Sequence, residues 1–218
     1  MKKLILILAL LALLPMASAT AGPLLDPISV GDVVRVYQST GGADQGGSFL
    51  VVGTGYEFLT FCIEDKEVFY PGSPYTVTRL DTVSINGNTG YPTLAGPLPL
   101  SAGAAFLYTQ FRELYYPGSG NVLDDATANA YQHAIWYFQG QNPPGGINSL
   151  VTDADAAIAA GKWSGIGNVR VLGFDSSVYG DPNRVQDMLT LVPEPGSLML
   201  LGTGLIGLAA AARRRAKK

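Results

Sequence analysis

Between Val33 and Leu80, apolar and polar residues alternate in short runs broken by glycine, the period of strands that bury one face. Val33, Val34, Val36 and Tyr37 predict a first strand, Phe49 to Val52 a second, and Tyr56 to Ile63, which carries Cys62, a third. Gly41-Gly42 and Gly46-Gly47 mark a loop between the first two. Gly53-Thr54-Gly55 reads as a turn, because the third glycine and the helix of a dinucleotide site do not follow it. Pro71-Gly72-Ser73-Pro74 predicts a turn ahead of a fourth strand, Tyr75 to Leu80.

The period then changes to three and four. Ser101 is placed to cap a helix on which Ala105, Phe106, Leu107, Tyr108, Phe111 and Leu114 recur, and Pro117 to Gly120 ends it. A second helix begins at Asp124 or Asp125, whose carboxylates suit a first turn, and runs through Ala130, Tyr131, Ala134, Ile135 and Phe138. Gly140 and Pro143-Pro144 stop it. A third helix is predicted from Leu150 to Ala160, with Gly161 as its C-terminal cap. Strands return at Val169 to Phe174 and Val185 to Leu191. Strands, then helices, then strands predict an α+β fold, a strand-rich, sandwich-like part with an inserted helical segment.

The two ends follow other rules. Lys2 and Lys3, the apolar run Leu4 to Leu14 and the small residues Ala17-Ser18-Ala19 form the three regions of a secretory signal peptide, residues 1–19. At the other end, Val192-Pro193-Glu194-Pro195 is stiff and poor in donors. An uncharged stretch, residues 196–212, leads from it to a cluster of Arg213, Arg214, Arg215, Lys217 and Lys218. As a helix that stretch covers about 25 Å, close to the thickness of a bilayer's hydrocarbon core. The basic cluster predicts a membrane stop that stays cytoplasmic, which leaves the body, residues 22–191, outside the inner membrane.

Charge narrows the partners of that body. It holds seven basic and sixteen acidic side chains, a net charge of −9. Such a surface argues against nucleic acid or anionic polysaccharide as an electrostatic partner, since affinity for phosphate comes mainly from Lys and Arg. Eleven tyrosines suit sugar contacts at a cell surface. One Cys and one His are too few for an ordinary zinc site, and no cofactor pattern is present. A single Cys in an exported chain points to a covalent or reactive use.

The Pro-Glu-Pro of Pro193, Glu194 and Pro195, followed by a glycine-containing apolar helix and the Arg213 to Arg215 cluster, resembles the PEP-CTERM sorting signal of Gram-negative bacteria that make exopolysaccharide. The resemblance implies a partner, a membrane-bound exosortase that cuts near the prolines. It also implies an inner-membrane anchor before processing, and the cell surface or extracellular matrix as destination.

The body carries a second resemblance. Phe61-Cys62, with the later segment Tyr131-Gln132-His133-Ala134-Ile135-Trp136, is similar to the thioester domains of Gram-positive surface adhesins. There the Cys sulfur condenses with the Gln carboxamide, ammonia leaves, and the thioester acylates an amine or hydroxyl on a host or matrix molecule. Carried over, Cys62 and Gln132 are the bond-forming pair, and Phe61, Tyr131 and Trp136 shield it from water. This is single-use linkage, not turnover, so no enzyme is expected.

Two other readings stay open beside it. In one, Cys62 is a small buried residue and Gln132 a satisfied amide, in a non-covalent structural or sugar-binding matrix protein. In the other, Cys62 and His133 form a hydrolase, although adjacent helix positions such as Gln132 and His133 point about 100° apart. Glu64, Asp65 and Glu67 lack the spacing of a calcium loop and read as a solvated acidic turn.

Overall fold

The computed structural model describes residues 25–41, 46–65, 67, 70–85, 97–116, 118–141, 145–175, 185–192, 203, 204 and 207. The signal peptide, the Pro193-Glu194-Pro195 motif, Arg213 to Arg215 and most of the apolar stretch therefore lie outside the described residues. Among the described residues no helix is long and apolar enough to cross a membrane.

Among the described residues, eight strands and three helices form the body. They are β1 (Val33–Gln38), β2 (Phe49–Gly53), β3 (Tyr56–Thr60), β4 (Pro74–Asp81), β5 (Val83–Ser84), β6 (Leu98–Pro99), α1 (Ala102–Leu114), α2 (Asp125–Phe138), α3 (Ser149–Ala159), β7 (Val169–Asp175) and β8 (Met188–Leu191). The large sheet is antiparallel in the order β3-β2-β1-β4-β7-β8, and β5 and β6 form a small separate ribbon.

The α+β composition matches the reading of the sequence, but the sandwich does not. Instead of two stacked sheets, one sheet has its outer edges joined. Past β3 the chain runs on beside β8: the Ile63 N–H donates to the Asp187 carbonyl at 2.9 Å and the Leu189 N–H to the Phe61 carbonyl at 3.1 Å. Cys62 sits opposite Met188 in an isolated antiparallel bridge. Both edges of the six-strand order thereby find partners, the way a barrel removes its exposed edges.

Alternation decides which side chains go inside. Val34 and Val36 of β1, Phe49 and Val51 of β2, Phe58 of β3, Tyr75 and Val77 of β4, and Leu172 and Phe174 of β7 build one core cluster together with Cys62 and Met188. The opposite face of β7 and β8, Val169, Val171, Leu189 and Leu191, joins a second cluster with Phe61, Ile63 and the helices. Strands covered on both faces need apolar residues at nearly every position, and β8 is buried throughout.

The helices cover mainly that side, while Trp136 of α2 reaches into the first cluster. Ser101, Asp124 and Asn148 cap them, each accepting an amide N–H of the first turn. Asp26 ties the entering chain to this layer: its carboxylate takes two bonds of 2.9 Å from Arg112 of α1 and further ones, also 2.9 Å, from the Thr190 hydroxyl and the Leu191 amide of β8.

Candidate functional site

Cys62 lies at the seam where the sheet closes. From Phe58 to Ile63 the side chains alternate strictly: Phe58 and Cys62 belong to the inner cluster, while Phe61 and Ile63 belong to the helix-side cluster. The regular strand stops at Thr60, two residues earlier than Cys62, yet the alternation continues through the bridge to Met188. Cys62 is fully buried and its thiol is free. Burial first, and the Glu64 carboxyl second, push that thiol well above its ordinary range, so it rests protonated.

Gln132 reaches Cys62 from α2. The Cys62 N–H donates to Gln132 Oε1 at 3.1 Å, and Gln132 Nε2 donates to the Cys62 carbonyl at 2.8 Å. Both residues are fully buried. The spacing of four that places Gln132 and Trp136 on one helix face sends both toward the seam, where Trp136 joins the cluster of Cys62. The other face of α2, with Tyr131 and Ile135, packs into the helix-side cluster.

The two remaining aromatic candidates stand elsewhere. Phe61 and Tyr131 stack on each other with centroids 6.1 Å apart, and both meet Phe111 edge-on, at 4.6 and 5.3 Å. They lie on the opposite side of the strand from the Cys62 side chain. The thiol belongs instead to the apolar cluster that holds Trp136, Phe58 and Met188. His133 stacks on Trp136 at 5.9 Å.

Gly46 closes the site from the loop between β1 and β2. A Cβ there would stand 2.6 Å from Gln132 Cγ and 2.7 Å from the edge of the Trp136 ring, and its φ of +87° favours glycine. The loop is fastened on both sides: Gln38 Nε2 donates to the Gly46 carbonyl at 3.1 Å, and the Gly41 N–H donates to Asp125 at the start of α2 at 3.0 Å.

The segment after Cys62 is held by two more glutamines. Gln141 Nε2 donates to the Ile63 carbonyl at 2.5 Å and Gln141 Oε1 accepts the Asp65 N–H at 2.7 Å. Gln186 Nε2 donates to the Glu64 carbonyl. The acidic turn expected from Glu64, Asp65 and Glu67 is not solvated: Glu64 is fully buried, with its carboxyl on the Asp187 N–H, and Glu67 is buried too.

One oxygen of Glu64 accepts the Asp187 N–H at 3.0 Å; the other, Oε1, is buried without a hydrogen bond. The Ser84 hydroxyl lies near enough to favour the ionised form weakly but outside hydrogen-bond geometry. Burial, then the carboxyls of Asp187 and Glu67, hold Glu64 well above the usual carboxylate range. Asp187 itself receives a two-pronged bond from Arg79, at 2.8 and 2.9 Å. Among the described residues no group of three or more His, Cys, Asp or Glu side chains is arranged to hold a metal ion.

Sequence reasoning thus named Cys62, Gln132 and Trp136, which meet, and missed Gly46, Gln141, Gln186 and the burial of Glu64. Gly46 had a signal, the paired glycines of its loop. The glutamines had none, since their partners are backbone groups distant in sequence.

No curated protein and no solved structure shows significant similarity to the chain. The family comparison instead finds the tail: residues 191–215 match the PEP-CTERM protein-sorting motif. The match overlaps the end of the folded body, at Leu191 of β8 and at Val192, whose N–H donates to the Asn168 carbonyl at 2.9 Å. This protein carries a PEP-CTERM sorting signal, the mark of an exported chain handled by an exosortase.

Proposed function

We propose that the exported body is a covalent adhesion module, in which Cys62 and Gln132 condense to an internal thioester that later acylates an amine or hydroxyl on matrix polysaccharide or a neighbouring surface. The observation that supports this reading is the pair of hydrogen bonds between the Gln132 carboxamide and the Cys62 backbone. Attack on a primary amide needs proximity and a donor for the oxygen that gains charge. The Cys62 N–H already points at Gln132 Oε1 and supplies that donor. Nε2, the leaving nitrogen, is held by the Cys62 carbonyl.

Burial serves the product as well. An acyl-sulfur bond enclosed by Trp136 and Gly46 is kept from water until a nucleophile enters. The PEP-CTERM tail fits such a role, since exosortase handling delivers the chain from the inner membrane to the surface. Intact mass of the full chain tests the reading. The chain is expected to weigh less than its sequence by one ammonia, with the deficit lost in Cys62→Ala and in Gln132→Ala. A wild-type chain at its full sequence mass sinks the thioester.

One observation favours a second reading. Gln141 braces Ile63 and Asp65 in the same two-sided way with no Cys involved. On that reading Gln132 is one of several glutamines that satisfy buried backbone, and the body is a non-covalent matrix component on the same sorting signal. Full sequence mass together with polysaccharide binding that detergent reverses is its expected outcome.

A further inference from the structure

We infer that Trp163, Arg170 and Lys162 form a collar around the point where the chain leaves the body, and that this collar docks on anionic headgroups of the inner membrane before the tail is cut. Such docking rests on the anchorage that the sorting signal supplies and not on the thioester. Three contacts meet at Gly167 and Asn168. The Asn168 carbonyl accepts the N–H of Val192, the last described residue of the body, at 2.9 Å. One position earlier, a Cβ on Gly167 would touch the Trp163 ring at 3.4 Å, and the Gly167 carbonyl accepts from Arg170 Nη1 at 2.7 Å. An indole and a guanidinium therefore flank the exit. Lys162, next to Trp163, is exposed.

Chain length fixes how near a membrane they stand. The uncharged stretch opens at Gly196, a short step in sequence beyond Val192. A fully extended chain spans at most about 3.6 Å per residue, so Val192 lies within about 14 Å of the hydrocarbon that the stretch enters. Headgroups fill about 5–8 Å of that interval in one leaflet. Covalent reach alone keeps the end of the body at Asn168 close to the lipid surface.

Charge decides how that end is received. With sixteen acidic and seven basic side chains, the body as a whole is repelled by an anionic leaflet. Lys162 and Arg170 offer the opposite charge at the exit: among the described residues neither forms an ion pair. Asp26, whose N–H donates to the Leu191 carbonyl at 2.6 Å, has its own charge taken up by Arg112. Beside it, Leu25 is exposed and adds apolar surface. A tryptophan with cations at the point of membrane entry suits a lipid interface, the ring among headgroups and the cations on phosphates. The Trp163 ring packs edge-on against Phe106 and its Nε1 donates to the Gly165 carbonyl at 3.0 Å, so the collar is preformed.

The test reconstitutes the full chain in lipid nanodiscs of phosphatidylcholine, with or without phosphatidylglycerol, each carrying a headgroup nitroxide lipid that quenches nearby tryptophan. Trp136 is buried in the body, so the difference between wild type and Trp163→Phe reports Trp163. Its emission is expected to be quenched more strongly in the phosphatidylglycerol discs. That excess should vanish in Lys162→Glu and at high salt, where charge is screened. Thermal melting checks that both variants fold; should Trp163→Phe not fold, the lipid and salt dependence of wild-type quenching decides. An unquenched Trp163 in a chain that stays bound to discs overturns the collar while the anchor stands. Equal quenching in both lipids overturns recognition of anionic headgroups, and a chain that does not enter discs removes anchor and collar together. Slower cutting of Trp163→Ala in cells, with no quenching in discs, assigns these residues to the processing enzyme and overturns lipid docking.

Discussion

Arg112 and Asp26 meet inside the protein through two bonds of 2.9 Å each, with side-chain exposures of only 2 and 3 %. The same Asp26 carboxylate holds Thr190 and Leu191, so one side chain fastens the entering segment, α1 and β8. Removing one partner of such a pair leaves the other charge buried and uncompensated. Asp26→Ala is expected to cost about 3–5 kcal/mol, read as a lower urea midpoint with an unchanged slope.

Gln132→Ala and Gln141→Ala remove similar braces with different consequences. Gln132→Ala strands two buried backbone groups and Gln141→Ala one buried and one half-buried group, a loss of about 1–3 kcal/mol per unsatisfied buried group. Only Gln132→Ala should also abolish the missing ammonia, so Gln141→Ala should melt lower yet retain the light mass. If Gln141→Ala loses the mass deficit as well, the brace and the chemistry are not separable.

Glu64 gives a pH dependence of stability with a definite sign. Its folded pKa is raised above the unfolded value of about 4.3. The folded state therefore prefers the protonated carboxyl, and its contribution is fully present below that unfolded value and declines as pH rises toward the folded one. Glu64→Gln, which keeps an acceptor for the Asp187 N–H, should match wild type near pH 4 and melt progressively higher than wild type as pH increases. A difference in melting temperature that shrinks with pH contradicts the assignment.

Gly46→Ala tests enclosure. Its left-handed backbone costs a side chain about 1–2 kcal/mol, and the new methyl group would press on Gln132 and Trp136. Lower stability and faster gain of one water by the thioester form are expected, both measurable on one sample by melting and by mass.

For the sorting signal, replacing Pro193, Glu194 and Pro195 together by alanine should leave an uncut chain in the inner-membrane fraction. Cell fractionation with an antibody to the body reads this directly. Release of a shortened chain at the wild-type rate would mean that the motif is not what the processing enzyme recognises.

Much of this was legible before any fold was known. Local rules placed the strands around Val34, Phe49 and Tyr75, and the helices capped at Ser101 and Asp124, because periodicity and capping act over a few residues. The four-residue spacing of Gln132 and Trp136 on α2 likewise predicted a shared face. Closure of the sheet was not legible, since Cys62 meets Met188 across more than a hundred residues and no local signal records that pairing. The burial of Glu64 followed the same blind spot: a carboxyl beside Asp65 and Glu67 reads as solvated until its distant partner, the Asp187 amide, is known. The two-residue strands β5 and β6 carry too little pattern to be seen.

The joined edge of the sheet has a mechanical consequence. Because β8 is paired with β7 on one side and with the run after Thr60 on the other, and the sorting motif begins at its last residue, any tether at the tail pulls β8 along its own axis. Hydrogen bonds of two neighbouring rows must then yield together instead of opening one after another. Should the opposite attachment form at Gln132, whose side chain grips Cys62 in one of those rows, traction between matrix and cell would run through the seam rather than around it.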